Sequence, residues 1–205
     1  MKALLIVDVQ NDFLPGGSLA VSEGDLVIPV INSLQEYFDL IVATQDWHPP
    51  DHGSFAANHP GRNVGEFIDL NGVQQILWPV HCVQESFGAD FHTDLERNKW
   101  AAVFQKGTQK TVDSYSGFFD NNRQGNTGLS KFLKKEGTTD LFVCGLATDY
   151  CVNFTVLDGI SEGFKTYLIA DASKAVNLEV GDYARSIKTM EQHGARIITS
   201  KDLIM

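Results

Sequence analysis

The chain has 205 residues, 43% of them hydrophobic, enough to bury one substantial core with no second compact unit. Sixteen Lys and Arg stand against 26 Asp and Glu, a net charge of -10, and no basic cluster exceeds the pair Lys134-Lys135. That balance argues against nucleic acid and acidic membrane surfaces as partners and favours a small neutral or cationic ligand. The apolar start is interrupted at Asp8, too soon for a signal peptide, no run reaches membrane-spanning length, and three cysteines are an odd number, so a cytoplasmic protein with free thiols is expected.

In chain order, short apolar runs at 3–7, 40–44, 101–105, 141–144, 166–170 and 196–199 read as strands. They are apolar throughout rather than alternating, the pattern of parallel strands covered on both faces. Between the first two, Leu26, Val30, Leu34 and Phe38, with Val27 and Ile31 beside them, form a helical stripe behind Ser22-Glu23-Gly24-Asp25, which resembles a capping sequence. Helical segments 129–136, 149–162 and 182–193 each run into a glycine, Gly137, Gly163 and Gly194, suited to a left-handed cap. The predicted order is β-α-β-loop-β-α-β-α-β-α-β. With right-handed crossovers, that is a three-layer α/β/α sandwich around a doubly wound parallel sheet of about six strands, a single domain with a site-forming loop region at 45–100.

Five of the six histidines and all three tryptophans fall between Trp47 and Trp100. A long ordered loop is usually functional, so metal-liganding and aromatic groups gathered there point to a site. Ligands of doubly wound sheets sit beyond the carboxyl ends of the strands, which selects Asp8, Asp46, Lys106 and the segment 145–151.

Cys151 follows Gly145-Leu146-Ala147-Thr148-Asp149-Tyr150. If Thr148 caps the following helix, the sulfur meets unpaired N–H groups that lower a thiol's pKa and can hold an oxyanion; the alternative is a small buried hydrophobe, as for Cys144 within its strand. Asp8, at the end of an apolar strand, needs a cation or a shared proton. Lys106 is the natural partner, either as part of an acid/base and nucleophile trio with Cys151 or as a structural ion pair. Asp46-x-His48 with His81 makes a three-ligand metal set that leaves positions open for substrate, set against ordinary loop hydrogen bonding. His52, His59 and Cys82 are competing ligands that spacing does not prefer. Phe13, Trp78 and Tyr115 can wall an aromatic slot.

Taken together, Asp8-Val9-Gln10-Asn11-Asp12-Phe13, Asp46-Trp47-His48, Trp78-Pro79-Val80-His81-Cys82, Lys106-Gly107, Tyr115-Ser116-Gly117-Phe118 and Gly145-Leu146-Ala147-Thr148-Asp149-Tyr150-Cys151-Val152 resemble the nicotinamidases (pyrazinamidases) among the isochorismatase-like cysteine hydrolases, over essentially the whole chain. The resemblance implies hydrolysis of nicotinamide to nicotinate and ammonia. It implies Asp8, Lys106 and Cys151 as the catalytic trio, the amides of Ala147 and Cys151 as oxyanion donors, and a cis peptide between Leu146 and Ala147. It also implies Asp46, His48 and His81 around one divalent ion, zinc with iron or manganese as alternatives, and Phe13 and Trp78 sandwiching the pyridine, with Tyr115 beside them. Relatives with a further loop histidine as ligand place it farther from His48 than His52 lies here. Other readings are a ureido-acid or carbamoyl hydrolase or an isochorismatase, relatives that generally lack the metal trio, and a non-catalytic binding domain; a homo-oligomer built on the 47–100 loop is also compatible.

Overall fold

A computed structural model describes residues 1–203. Six parallel strands form one sheet in the order β5-β2-β1-β6-β7-β8: β1 Lys2–Val7, β2 Leu40–Asp46, β5 Ala102–Lys106, β6 Asp140–Leu146, β7 Lys165–Lys174 and β8 Arg196–Ile198. All six predicted strands are present. The continuous apolar character of β1, β2 and β6 follows from burial on both faces, whereas the edge strands β5 and β8 are partly exposed, Val103 among them. Leu4, Ile6, Ile41, Ala43 and Phe142 meet helix α1, Val27–Leu34, on one side. Leu5, Val7, Val42, Leu141 and Val143 meet α2 (Leu129–Lys135), α3 (Asn153–Ser161) and α4 (Asp182–Gln192) on the other. Each fully buried aliphatic side chain contributes roughly 1.5–3 kcal/mol to holding the layers together.

Helix ends explain where the sequence reading holds and where it does not. Gly137, Gly163 and Gly194 are all left-handed, as expected at helix C-termini. The cap expected before α1 is absent: Glu23 is left-handed at φ 55°, no side chain caps, and its carboxylate pairs instead with Lys174 at 2.7 Å. The buried face of α1 is Val27, Ile28, Ile31 and Leu34, while Leu26 is exposed. The third predicted helix begins late. Residues Thr148–Val152 form a wide turn of π type, and regular helix starts at Asn153, because Thr148 Oγ1 bonds Ser173 Oγ at 2.6 Å instead of capping.

The long loop is not wholly irregular. Phe67–Leu70 (β3) and Val73–Ile76 (β4) pair as an antiparallel hairpin across Asn71-Gly72, both at positive φ. An Asn-Gly between alternating residues is the sequence signal that could have revealed it. Among the described residues no helix is long and apolar enough to cross a membrane.

The chain runs β1, β2, β5 outward on one side of β1, then returns to place β6, β7 and β8 on the other. Strand order therefore reverses between β1 and β6, the place where a crevice is expected beyond the carboxyl ends of the strands. Gly145 lies there at φ 109°, where a Cβ would run into the backbone carbonyl of Val7. Gly145→Ala is expected to destabilise the protein by about 4 kcal/mol or more. Urea unfolding measures this, and a loss below about 1 kcal/mol would contradict the close approach of the two strands.

Candidate active site

Four strand ends deliver the polar groups. Asp8 follows β1, Asp46 ends β2, Lys106 ends β5, and Cys151 lies in the wide turn after β6. Register does the placing, since Asp46 and Lys106 are direct partners across β2 and β5. The Lys106 ammonium, with its residue only 2% exposed, lies 2.9 Å from Asp8 Oδ2, 2.7 Å from Asp46 Oδ1, 2.9 Å from the Ser114 carbonyl and 3.4 Å from Cys151 Sγ. The structure thus brings the trio predicted from sequence into one cluster around a single cation. Asp8 Oδ1 accepts a hydrogen bond from Thr44 Oγ1 at 2.7 Å, whereas Oδ2 meets the ammonium out of hydrogen-bond alignment and keeps a lone pair for another proton.

Burial works against the charge on Lys106, but Asp46 and Asp8 outweigh it and hold its pKa well above the usual lysine range. For Asp46, burial is overcome by the charges of His48 and Lys106, and its pKa lies well below the ordinary carboxylate value. Burial lifts Asp8 despite Lys106. Burial also pushes the Cys151 thiol well above its normal value, with Lys106 opposing, so the expectation of a thiolate favoured at rest is corrected. Desolvation at this depth exceeds the attraction of the ammonium. A protonated thiol beside a carboxylate of raised basicity suits proton transfer in step with attack.

On the other side of Asp46, its Oδ2 faces His48 Nε2 at 3.1 Å and His81 Nε2 at 3.5 Å. Both histidines use Nδ1 on a backbone carbonyl, His48 on Gly107 at 2.9 Å and His81 on Pro79 at 2.8 Å, which orients each ring with Nε2 towards the carboxylate. One donor atom from each of the three residues lies within 4.8 Å of the others. An Asp and two His fit a borderline divalent ion, and the two buried carboxylates exceed the one buried ammonium by a negative charge that such an ion would offset. Gly107 makes room for this arrangement: a side chain there would strike the His48 ring.

His52 belongs behind the cluster rather than in it. Its ring lies 4.3 Å from that of His48, tilted by 43°, and Nδ1 accepts from Ser54, both from the hydroxyl at 2.7 Å and from the backbone N–H at 3.3 Å. The proton therefore sits on Nε2, donated to the Val112 carbonyl at 3.3 Å, and no lone pair is free for a metal, although His48, His52 and Asp113 also converge. His59 donates to the Gly53 carbonyl from its half-buried position, and Cys82 directs its sulfur at the Gly88 carbonyl.

A narrow slot leads to Cys151 and is walled by Phe13, Trp78 and Tyr115, as the sequence suggests, and also by Leu19, Asp113, Ala147, Tyr150 and Val176. Trp78 Nε1 and Gln75 Nε2 both donate to the Tyr115 hydroxyl, at 3.1 and 2.9 Å, and Tyr150 packs edge-on to Trp78 at 4.9 Å. The Leu146–Ala147 peptide at the slot's base is cis. Sequence reasoning overlooked the side chains that brace these walls. Gln10 donates to the Asp46 and Ala89 carbonyls at 2.8 Å each and accepts from Asp46 N–H; Asn11 holds the Phe87 carbonyl; Asp12 accepts the Cys82 N–H at 2.7 Å. Their signal was a run of polar residues directly after a fully apolar strand.

His52 has a measurable consequence. Burial, aided by repulsion from His48, lowers its pKa from 6.5 to about 4, so it stays neutral when folded. As pH falls from 6.5 towards 4, the unfolded chain takes up this proton first and stability drops, by on the order of 3 kcal/mol for this group. Urea unfolding across that range should show a steeper loss for the parent than for His52→Gln. Equal slopes would mean the imidazole is not held neutral.

Comparison with known proteins places this geometry among relatives. The isochorismatase domain family matches residues 2–202. The nicotinamidase of Escherichia coli (strain K12) is 46% identical over 211 residues, covering 98% of this chain and 96% of the relative. Among solved structures, PnC1 from L. infantum in complex with nicotinate superposes with a TM-score of 0.86 at 36% identity, covering 98% of this chain and 93% of that one. The pyrazinamidase of Pyrococcus horikoshii in complex with zinc gives 0.79 at 38% identity, covering 97% and 98%.

Proposed function

The chain belongs to the isochorismatase family, and from that premise we propose that it is a nicotinamidase, hydrolysing nicotinamide to nicotinate and ammonia through a thioester on Cys151. The observation that carries this reading is the single ammonium of Lys106 touching Asp8, Asp46 and Cys151 at once, next to a three-donor set and at the base of an aromatic slot. The name of the E. coli relative and the nicotinate held by the L. infantum protein support the substrate. The aromatic walls of the slot suit a planar ring, so pyrazinamide is a second substrate of this reading.

Nicotinamide slides between Phe13 and Trp78 with its carboxamide towards Cys151. Asp8 takes the thiol proton as the sulfur attacks the carbonyl carbon, and the N–H groups of Ala147 and Cys151 receive the developing oxyanion. Asp8 then returns the proton to the departing nitrogen, the C–N bond breaks, and ammonia leaves a thioester. A water molecule, deprotonated by Asp8, attacks that thioester; the C–S bond breaks, the proton returns to sulfur, and nicotinic acid leaves and releases its remaining proton to solvent as nicotinate. Throughout, the charge of Lys106 stabilises the anionic forms of Asp8 and Cys151.

Asp46, His48 and His81 are the residues that hold a divalent metal in this reading, zinc by analogy with the P. horikoshii protein, with iron or manganese compatible with the same donors. When bound, such an ion supplies a coordination position for the pyridine nitrogen, which orients the ring. Three buried free thiols fit a reducing compartment, the cytoplasm, and the proposed reaction would give the protein a place in NAD salvage.

Cys151→Ala is expected to lower ammonia release from nicotinamide by at least about a thousandfold while fold and metal content persist. Substantial turnover by a folded Cys151→Ala protein would eliminate the thioester route. His48→Ala should purify with little metal and bind nicotinate weakly. Elemental analysis finding one metal per chain in that variant would remove His48 from the ligand set.

A further inference from the structure

Asp149 takes no part in the reaction just described, yet its carboxylate is almost fully buried and both of its oxygens are used. Oδ1 accepts the N–H of Val176 at 2.9 Å, and Oδ2 accepts the N–H of Asn177 at 2.8 Å. The acceptor belongs to the wide turn that carries Cys151. The donors belong to the segment 175–181, which leaves β7 and leads into α4, and Val176 is itself a wall of the aromatic slot. Beyond Asn177 this segment has little packing of its own, since Leu178 is exposed and Val180 is 98% exposed. Besides the carboxylate, Ala175 is buried and Val176 packs on the core, and the segment beyond is tied to the start of α4: Asn177, left-handed at φ 53°, accepts the N–H of Tyr183 at Oδ1, Glu179 N–H donates to Asp182 Oδ2 at 2.8 Å, and Arg185 donates to the Val180 carbonyl at 3.1 Å.

We propose that Asp149 is a positioning residue for the substrate ring, clamping Val176, the wall supplied by the 175–181 segment, to the turn that carries Cys151. The inference rests on reading the slot as the ring-binding site. A carboxylate is the matching group for two consecutive N–H donors, because each oxygen accepts one and the charge strengthens both bonds. An amide in its place would set an NH2 against one of them. The Cys151 turn has ties of its own. Thr148 and Ser173 share a hydrogen bond, Ser173 Oγ donates to the Gly145 carbonyl at 2.8 Å, and the N–H groups of Tyr150 and Val152 both reach the Ala147 carbonyl at 3.1 Å. Loss of the Asp149 charge therefore frees the slot wall while the cysteine turn stays held, and binding suffers more than chemistry.

Asp149→Asn, Val176→Ala and the double variant, assayed by ammonia release from nicotinamide, test this. Asp149→Asn is expected to raise KM about tenfold with kcat within about threefold, and the double variant should be no worse than the more impaired single, since both remove the same wall. Amide hydrogen exchange at residues 176 and 177 should quicken about tenfold in Asp149→Asn with that of the 148–152 turn unchanged, a readout that needs no substrate. An unchanged KM in a folded Asp149→Asn protein, additive effects in the double variant, or unaltered exchange would overturn the proposal. If Asp149→Asn does not fold, an unchanged KM for Val176→Ala, which leaves the carboxylate intact, overturns it as well, and a raised one supports it. A parent protein inert towards nicotinamide would instead overturn the functional reading and the substrate half of this proposal, while the exchange data still judge the clamp.

Discussion

A lysine ammonium buried to within a few per cent of complete exclusion from water is costly unless anions surround it, and Lys106 has two carboxylates and a sulfur within 3.4 Å. Much else in the molecule follows from keeping those groups together. Removing both carboxylates would strand the ammonium in a low-dielectric interior, and losing the lysine would leave two like charges side by side. The cluster consequently requires the ends of β1, β2 and β5 to stay in register to the residue. A slip of one position would turn each side chain to the opposite face of the sheet.

The place of the cluster is fixed by topology rather than by the polar residues themselves. Strand order reverses between β1 and β6, so the loops leaving those two strands diverge to opposite faces and open a space into which Asp8 and the Cys151 turn both project. The long segment between β2 and β5 closes over this opening. It is held by buried apolar residues such as Phe55, Leu77, Phe91 and Leu95 and by side chains that satisfy its backbone: Gln10 at Asp46 and Ala89, Asn11 at Phe87, Asp12 at Cys82, and the parallel bridge between His48 and Val83 that sets His48 and His81 next to each other. Six consecutive residues after β1 thus supply a charge for the cluster, three braces for the loop and, in Phe13, a wall of the slot.

The electrostatics divide along the Asp46 side chain. One oxygen faces the ammonium and the other faces two imidazole nitrogens, so a single carboxylate couples the cation cluster to the donor set. Its strong preference for the ionised form keeps both halves in place. On the cluster side, burial leaves sulfur holding its proton and raises the basicity of Asp8, an arrangement in which the proton moves when a substrate arrives and not before.

What the sequence determined by itself was the periodicity and the chemistry. Uninterrupted apolar runs such as Leu4-Leu5-Ile6-Val7 announce strands buried on two faces, glycines at 137, 163 and 194 mark helix ends, and Asp8, Asp46, Lys106 and Cys151 stand where strands stop. Those signals are local, each arising within a few residues of backbone. The tertiary structure decided what depends on groups distant in sequence. Thr148 is drawn to Ser173 instead of capping a helix, Glu23 is drawn to Lys174, and His52 loses its free lone pair to Ser54 and Val112, because partners that only folding brings near compete for the same hydrogen bonds. The protonation of Cys151 was decided there too: a helix start lowers a thiol's pKa in isolation, but the depth of burial that reverses this is a property of the whole packed chain.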